Sequence, residues 1–123
     1  MDGVFQKALA EDRLIDITTT GRKTGGPRKI EITFFVLEGS VYITGRPGRP
    51  RSWYANMRAN PDFTFHIKQS AELDLAARAT PVLDESSRRA VFEKVFERLP
   101  EGTEADIDEW MNRSPLVEVE FSG

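Results

Sequence analysis

Six short segments rich in β-branched and aromatic residues, most of them joined by turns rather than helices, set the tightest limit on how this chain can fold. LIDITTT at 14–20 alternates apolar and polar residues, as does the first half of 29–37. Glu38, Gly39 and Ser40 form a turn, and 41–44 returns as the second arm of a hairpin. FTFHI at 63–67 and the longer run at 73–82 read as a second pair, and 116–121 as a last strand. Helical patterns interrupt this series without alternating with it. Strict alternation would indicate a parallel sheet, so the order predicts an α+β fold with a mainly antiparallel sheet or barrel.

Four helices are expected around it. Val4, Phe5, Ala8 and Leu9 place an apolar stripe on residues 2–12. SWYANMRAN at 52–60 reads as a short helix, with Ser52 as its N-cap and Asn60-Pro61 as its stop. Asp84 opens an amphipathic helix whose apolar face carries Ala90, Val91, Val95 and Phe96, with Phe92 and Leu99 nearby. Residues 105–111 form a further short helix. At 123 residues the chain reads as one domain, 1–123.

Charge is more informative in its distribution than in its total. From Arg22 to Arg58 the chain holds eight bases against Glu31 and Glu38, which gives this stretch +6 and leaves −9 for the rest. A positive patch inside an acidic protein points to a local anionic ligand rather than to a polyanion. Two loops carry it. TTTGRKTGGPR at 18–28 displays cations, hydroxyls and backbone N–H groups suited to a phosphate, although the spacing is neither that of a Walker loop nor GxGxxG. GRPGRPR at 45–51 runs into the start of the 52–60 helix, where the helix dipole favours an anion.

Other chemistries have little support. There is no Cys and one His, so neither a thiolate nucleophile nor a metal site is expected. His66 sits mid-strand and reads as structural, and no Ser/His/Asp arrangement can be argued from spacing. With no acid, base or nucleophile singled out, the chemistry would belong to a cofactor that the protein positions. The N-terminus lacks a signal pattern and no run approaches the ~18 apolar residues of a membrane span, so a cytoplasmic protein is expected.

TTTGRKTGGPR, the hairpin that follows, SWYANMRANPDFTFHI and LDLAARAT together resemble the deazaflavin-dependent nitroreductase family, small split-barrel reductases related to FMN-binding barrels. The likeness covers about 14–121. It implies coenzyme F-420 as cofactor and hydride transfer to a quinone, enone or nitroaromatic acceptor. It places Lys23 and Arg28 on the coenzyme's phosphate tail, with Arg22 and Thr24 in the same loop. Ile30 and Ile32 lie on the strand beneath the ring, and Thr44, Gly45 and Arg46 fall where a loop meets ring and tail. Ser52, Trp53 and Asn56 flank the coenzyme; Thr33 and Trp110 are assigned to the acceptor. Thr33, Thr44 or a loop N–H is the expected donor to the developing oxyanion.

The chain departs from the family pattern at Arg46-Pro47-Gly48-Arg49, where members often carry Ser-x-Gly-Gly, and at Glu31, where Pro is common. Only Trp110 and Met111 stand near the aromatic cluster that shapes the acceptor pocket of some members. Three other readings stay open, one of them a coenzyme carrier or sequestering protein with no turnover. FMN would suit the same phosphate-gripping loop. A nucleic-acid-binding β-domain could stack bases on Trp53 and Tyr54, but a net charge of −3 weighs against nucleic acid as a partner. A homodimer is expected through a sheet face, with the FTF and LDL strands able to supply one.

Overall fold

In the computed structural model, which describes residues 3–122, alternation turns Ile15, Ile17 and Thr19 of β1 (Leu14–Thr20) to the interior. β1 pairs antiparallel with both β2 (Pro27–Leu37) and β4 (Asp62–Ile67). β3 (Ser40–Thr44) continues from β2 and pairs with β6 (Leu116–Phe121). β5 (Leu73–Pro81) joins β6 to β4, closing a barrel of order β1-β2-β3-β6-β5-β4 in which every ladder is antiparallel. The expected α+β barrel is therefore present, and β2 starts at Pro27 because Pro27 already faces Thr20 in the β1 ladder.

α1 (Gly3–Glu11) stoppers one end of the barrel; Asp2, also expected in this helix, lies outside the described residues. Phe5 meets Phe121 edge-on at 5.0 Å, Phe121 meets Phe65 at 5.0 Å, and Phe65 meets Phe34 at 5.6 Å. This row of edge-to-face rings crosses the core from α1 to β2, the geometry that aromatic quadrupoles prefer.

A second apolar layer packs outside β2 and β3. α3 (Glu85–Arg98) buries Val91, Phe92 and Val95, and α4 (Ile107–Arg113) buries Trp110 against Phe92 and Phe96. Ala90, expected on the buried face, is exposed, because the helix presents a narrow stripe to the barrel. α4 runs two residues later than expected, since Asp106 is its N-cap and accepts from the Asp108 N–H. Arg88 ties the layer together: its guanidinium donates to the carbonyls of Val82 (3.1 Å), Met111 (2.9 Å) and Ser114 (2.7 Å) and lies over the Phe92 ring. Burial lowers its pKa from the usual arginine value.

α2 (Ser52–Ala59) corrects another expectation. Its N-cap is Arg51, with no side-chain cap bond, and Ser52 is the first helical residue. On the barrel's outer wall Lys68 donates to Asp16 at 2.8 Å and also pairs with Glu31. The Lys68 hydrogen bond holds the Asp16 carboxyl below the ordinary carboxylate range, and the Asp16 contact raises Lys68 in turn.

Two outcomes are expected. Arg88→Ala removes charge-assisted bonds to several carbonyls at once and should cost about 2–3 kcal/mol in urea unfolding; a loss below about 0.5 kcal/mol, the scale of ordinary surface changes, contradicts the role given to Arg88. The Asp16 contribution is complete above the unfolded carboxylate value near about pH 4 and is lost as pH falls through the depressed folded value. Lys68→Met should therefore flatten the acid limb of stability against pH.

Candidate functional site

The site arises from a mismatch in strand length. β2 pairs with β1 from Pro27 to Thr33, but with β3 only from Phe34 to Leu37. Its other edge over 27–33 has no strand partner. Ile30 and Ile32 share the inward face with Phe34, yet no strand crosses them, and Ile30 remains 38 % exposed. They floor a cavity of about 940 Å³ that Thr33, Thr44, Gly45, Arg46, Arg49, Trp53 and Trp110 also line.

A second cleft of about 320 Å³ adjoins it. Arg22, Lys23, Thr24 and Arg28 come from the first basic loop and Ser52 and Asn56 from α2, and the two cavities share Ile30 and Trp53. Both basic loops thus meet along one groove, the second lending Arg46 and Arg49 to the larger, mainly apolar cavity and the first supplying the cations of the smaller cleft. All fourteen residues assigned to coenzyme and acceptor from the sequence line one cavity or both.

The first loop is held by its own backbone. Gly21 N–H donates to Gly26 O, Gly25 N–H to Gly21 O, and Gly26 N–H to Thr24 Oγ1. Gly25 has φ +76°, and a Cβ on Gly21 would lie 3.1 Å from Gly26 O, so both positions need glycine. Asn56, 3 % exposed, locks the loop to the barrel: its Oδ1 accepts from the Arg22 N–H and Nη1, each at 3.1 Å, and its Nδ2 donates to Thr19 Oγ1. Arg28 is steered by Thr24, to whose Oγ1 its Nη2 donates at 3.1 Å. With the Gly21, Gly25 and Gly26 N–H groups engaged within the loop and the Arg22 N–H held by Asn56, the loop presents an anion mainly with side chains rather than the exposed backbone expected from its glycines.

Several cations stand ready. Among the described residues, the side chains of Lys23, Arg46 and Arg49 have no hydrogen-bond or ion-pair partner, whereas Arg51 is tied to Arg113 O at 2.8 Å. The Ser52 and Trp53 N–H groups open α2 beside the cationic cleft and, as first-turn donors, have no acceptor within the helix. Thr44 does not meet its expected role: its hydroxyl donates to Pro115 O at 2.5 Å, which commits the proton. Thr33 Oγ1 has no such partner. Trp53 and Trp110 are 5 % and 6 % exposed, and neither indole N–H has an acceptor among the described residues.

Sequence reasoning missed two arrangements. Leu9, Ala10, Asp12 and Arg13, at the end of α1, line the far side of the larger cavity; only their place after an apolar helix stripe hinted at a barrel-end position. His66 Nε2 lies 2.7 Å from Thr18 Oγ1 and Nδ1 lies 2.6 Å from Asp74 Oδ1, a hydroxyl–imidazole–carboxylate chain that spacing alone did not suggest. None of the three lines either cavity, so the chain acts as a cross-strand brace between β1, β4 and β5.

Residues 2–119 match the family model described as F420H(2)-dependent quinone reductase. A curated F420H(2)-dependent quinone reductase from Mycobacterium tuberculosis (strain ATCC 25618 / H37Rv) is 40% identical over 53 residues, which are 40% of this chain and 35% of that protein. The match thus spans about a third of that relative's length. Among solved structures, an F420-H2 dependent reductase called FDR-A is 23% identical with a TM-score of 0.59, covering 89% of this chain and 95% of its own. A putative pyridoxamine 5'-phosphate oxidase from Listeria innocua is 15% identical with a TM-score of 0.69, covering 97% and 91%. Both structural likenesses bear on the fold, which is the split barrel that the sequence resemblance implied. On the whole-length family match, the chain belongs to the F420H(2)-dependent quinone reductase family.

Proposed function

We propose that this chain is a cytoplasmic reductase, one domain in extent, that binds reduced coenzyme F-420 and delivers a hydride to a small activated acceptor, with a quinone foremost and an enone or nitroaromatic as alternatives. The observation that carries the reading is the junction at Ile30 and Trp53, where an apolar cavity large enough for a tricyclic ring opens directly into a cationic cleft. A flat ring with an acidic tail fits that sequence of surfaces, and among the described residues Lys23, Arg46 and Arg49 have no side-chain partner that would compete for the tail.

Bound there, the coenzyme would supply a two-electron hydride donor, and the chain's own groups would do the positioning. Ile30 and Ile32 give an apolar floor and Trp53 closes the base of the groove. Lys23 and Arg28, supported by the Asn56–Arg22 clamp, hold the phosphate end by charge-assisted bonds. Phe35, Val36, Leu99 and Trp110 form the wall against which an acceptor is held over the ring, at the roughly 3–3.5 Å separation that hydride transfer needs. Thr33 Oγ1 and the Trp110 N–H are donors left for the acceptor oxygen; Thr44 is not.

A homodimer through the outer wall would have to be polar. The outward residues of β4 and β5 are Asp62, Thr64, His66, Asp74, Ala76, Arg78 and Thr80, while the FTF and LDL apolar side chains face the core. Light scattering at micromolar concentration decides it.

Replacing Lys23 and Arg28 together by Ala should weaken coenzyme binding at least tenfold in a fluorescence titration, about 1.4 kcal/mol. Unchanged affinity in that double variant would remove the phosphate assignment. A wild-type protein that binds FMN and not the deazaflavin would remove the coenzyme assignment itself.

A further inference from the structure

The end of the large cavity beneath α1 carries a group that the proposed reading does not use. Asp12 follows the last turn of α1, where its N–H donates to Ala8 O, and it lines the cavity beside Leu9, Ala10 and Arg13. It is 6 % exposed. One carboxylate oxygen is occupied: Oδ2 accepts from the Ser70 N–H at 3.2 Å and from Ser70 Oγ at 3.1 Å. Oδ1 has no donor, and no cation forms an ion pair with Asp12 among the described residues. Nor is Oδ1 sealed in, because Ser114 Oγ is the one fully enclosed side-chain oxygen or nitrogen without a partner among those residues. The small exposed part of Asp12 includes Oδ1, and the residue lines the cavity.

A carboxylate is an extravagant way to hold Ser70. The oxygen of an amide would accept the same two bonds and avoid the cost of desolvating a charge. What the carboxylate adds is a second acceptor with negative charge, in a cavity lined mostly by apolar side chains and arginines, where Glu31 is the one other acid. Such an atom recognises an N–H or O–H donor on whatever enters and rejects a bare carbonyl at that point.

We propose that Asp12 Oδ1 is the recognition point for the polar end of the ring, accepting a hydrogen bond from the imide N–H that lies between the two carbonyls of a pyrimidinedione. The assignment rests on the reading that a tricyclic ring occupies this cavity, but not on which coenzyme supplies it, since flavins and deazaflavins share the imide. It makes Asp12 a binding residue, one that fixes which way round the ring lies, and assigns it no part in hydride transfer.

The test pairs a change in the protein with a change in the ligand. In Asp12→Asn the amide oxygen can keep Ser70 while the Oδ1 position becomes an N–H donor. Wild type and variant, both checked by thermal melt, are titrated with coenzyme F-420, with 5-deazariboflavin and with its N3-methyl derivative. Wild type should lose at least tenfold on methylation, and Asp12→Asn should bind the unmethylated ring at least tenfold more weakly and no longer discriminate. Equal binding of both rings by wild type overturns the inference, as does a methylation penalty that persists in the variant, which would be steric. Discrimination by wild type with no binding of coenzyme F-420 supports Asp12 and sinks the coenzyme reading. Binding of none of these ligands sinks both.

Discussion

The eleven residues of β2 outrun the five of β3, and the groove depends on that difference. A closed antiparallel barrel normally covers both edges of every strand. Here the first half of β2 keeps its β1 partner and loses the other, so Ile32 is only partly covered by the barrel core and Ile30 is left exposed. The chain that leaves β3 does not fill the gap with another strand. It crosses as the 45–51 loop and returns as α2, whose Trp53 closes the groove from below and whose Asn56 clamps the first basic loop. An apolar surface left open in this way is a binding site for something flat.

Electrostatics follow from the same geometry. Both basic loops belong to the ends of strands that border the gap, so Arg22, Lys23, Arg28, Arg46 and Arg49 of the basic stretch come to line one groove. The acids that balance it lie mostly on α3, α4 and the outer wall. Several of them are already matched there, as in the pairs of Lys68 with Asp16, Arg78 with Asp62, and Arg89 with Asp108. Within the groove Lys23, Arg46 and Arg49 have no ion-pair partner among the described residues. That contrast distinguishes a ligand site from a solvated basic face.

Much of this was legible in the sequence because it is local. Period-two alternation, turn signals and pairing with a neighbouring run together located all six strands, and glycine with proline located the loops. The cavity-lining residues were reached through the family resemblance, and their convergence required the fold. What stayed hidden is long-range. Nothing near Thr44 foretold that Pro115 O would take its proton, since the partner is 71 residues away. Nothing local marked Arg88, whose acceptors come from the turn after β5 and from the last turn and C-cap of α4. Asp12 read as the end of a helix; its burial depends on Ser70 and on the cavity that β2 leaves open. Ser52 was favoured as a cap by residue type, whereas the backbone enters the helix one residue earlier.

The account stands or falls on one ligand spanning both surfaces, ring on the isoleucines and acidic tail among the cations. Calorimetric titration of intact coenzyme F-420 and of the deazaflavin without its phosphate tail, each at low and high salt, tests this most directly. The intact coenzyme should bind more tightly at low salt, and its advantage should shrink as salt screens the cleft, while the tail-less ring binds with little salt dependence. Equal affinity for the two ligands, or an advantage indifferent to salt, would contradict it.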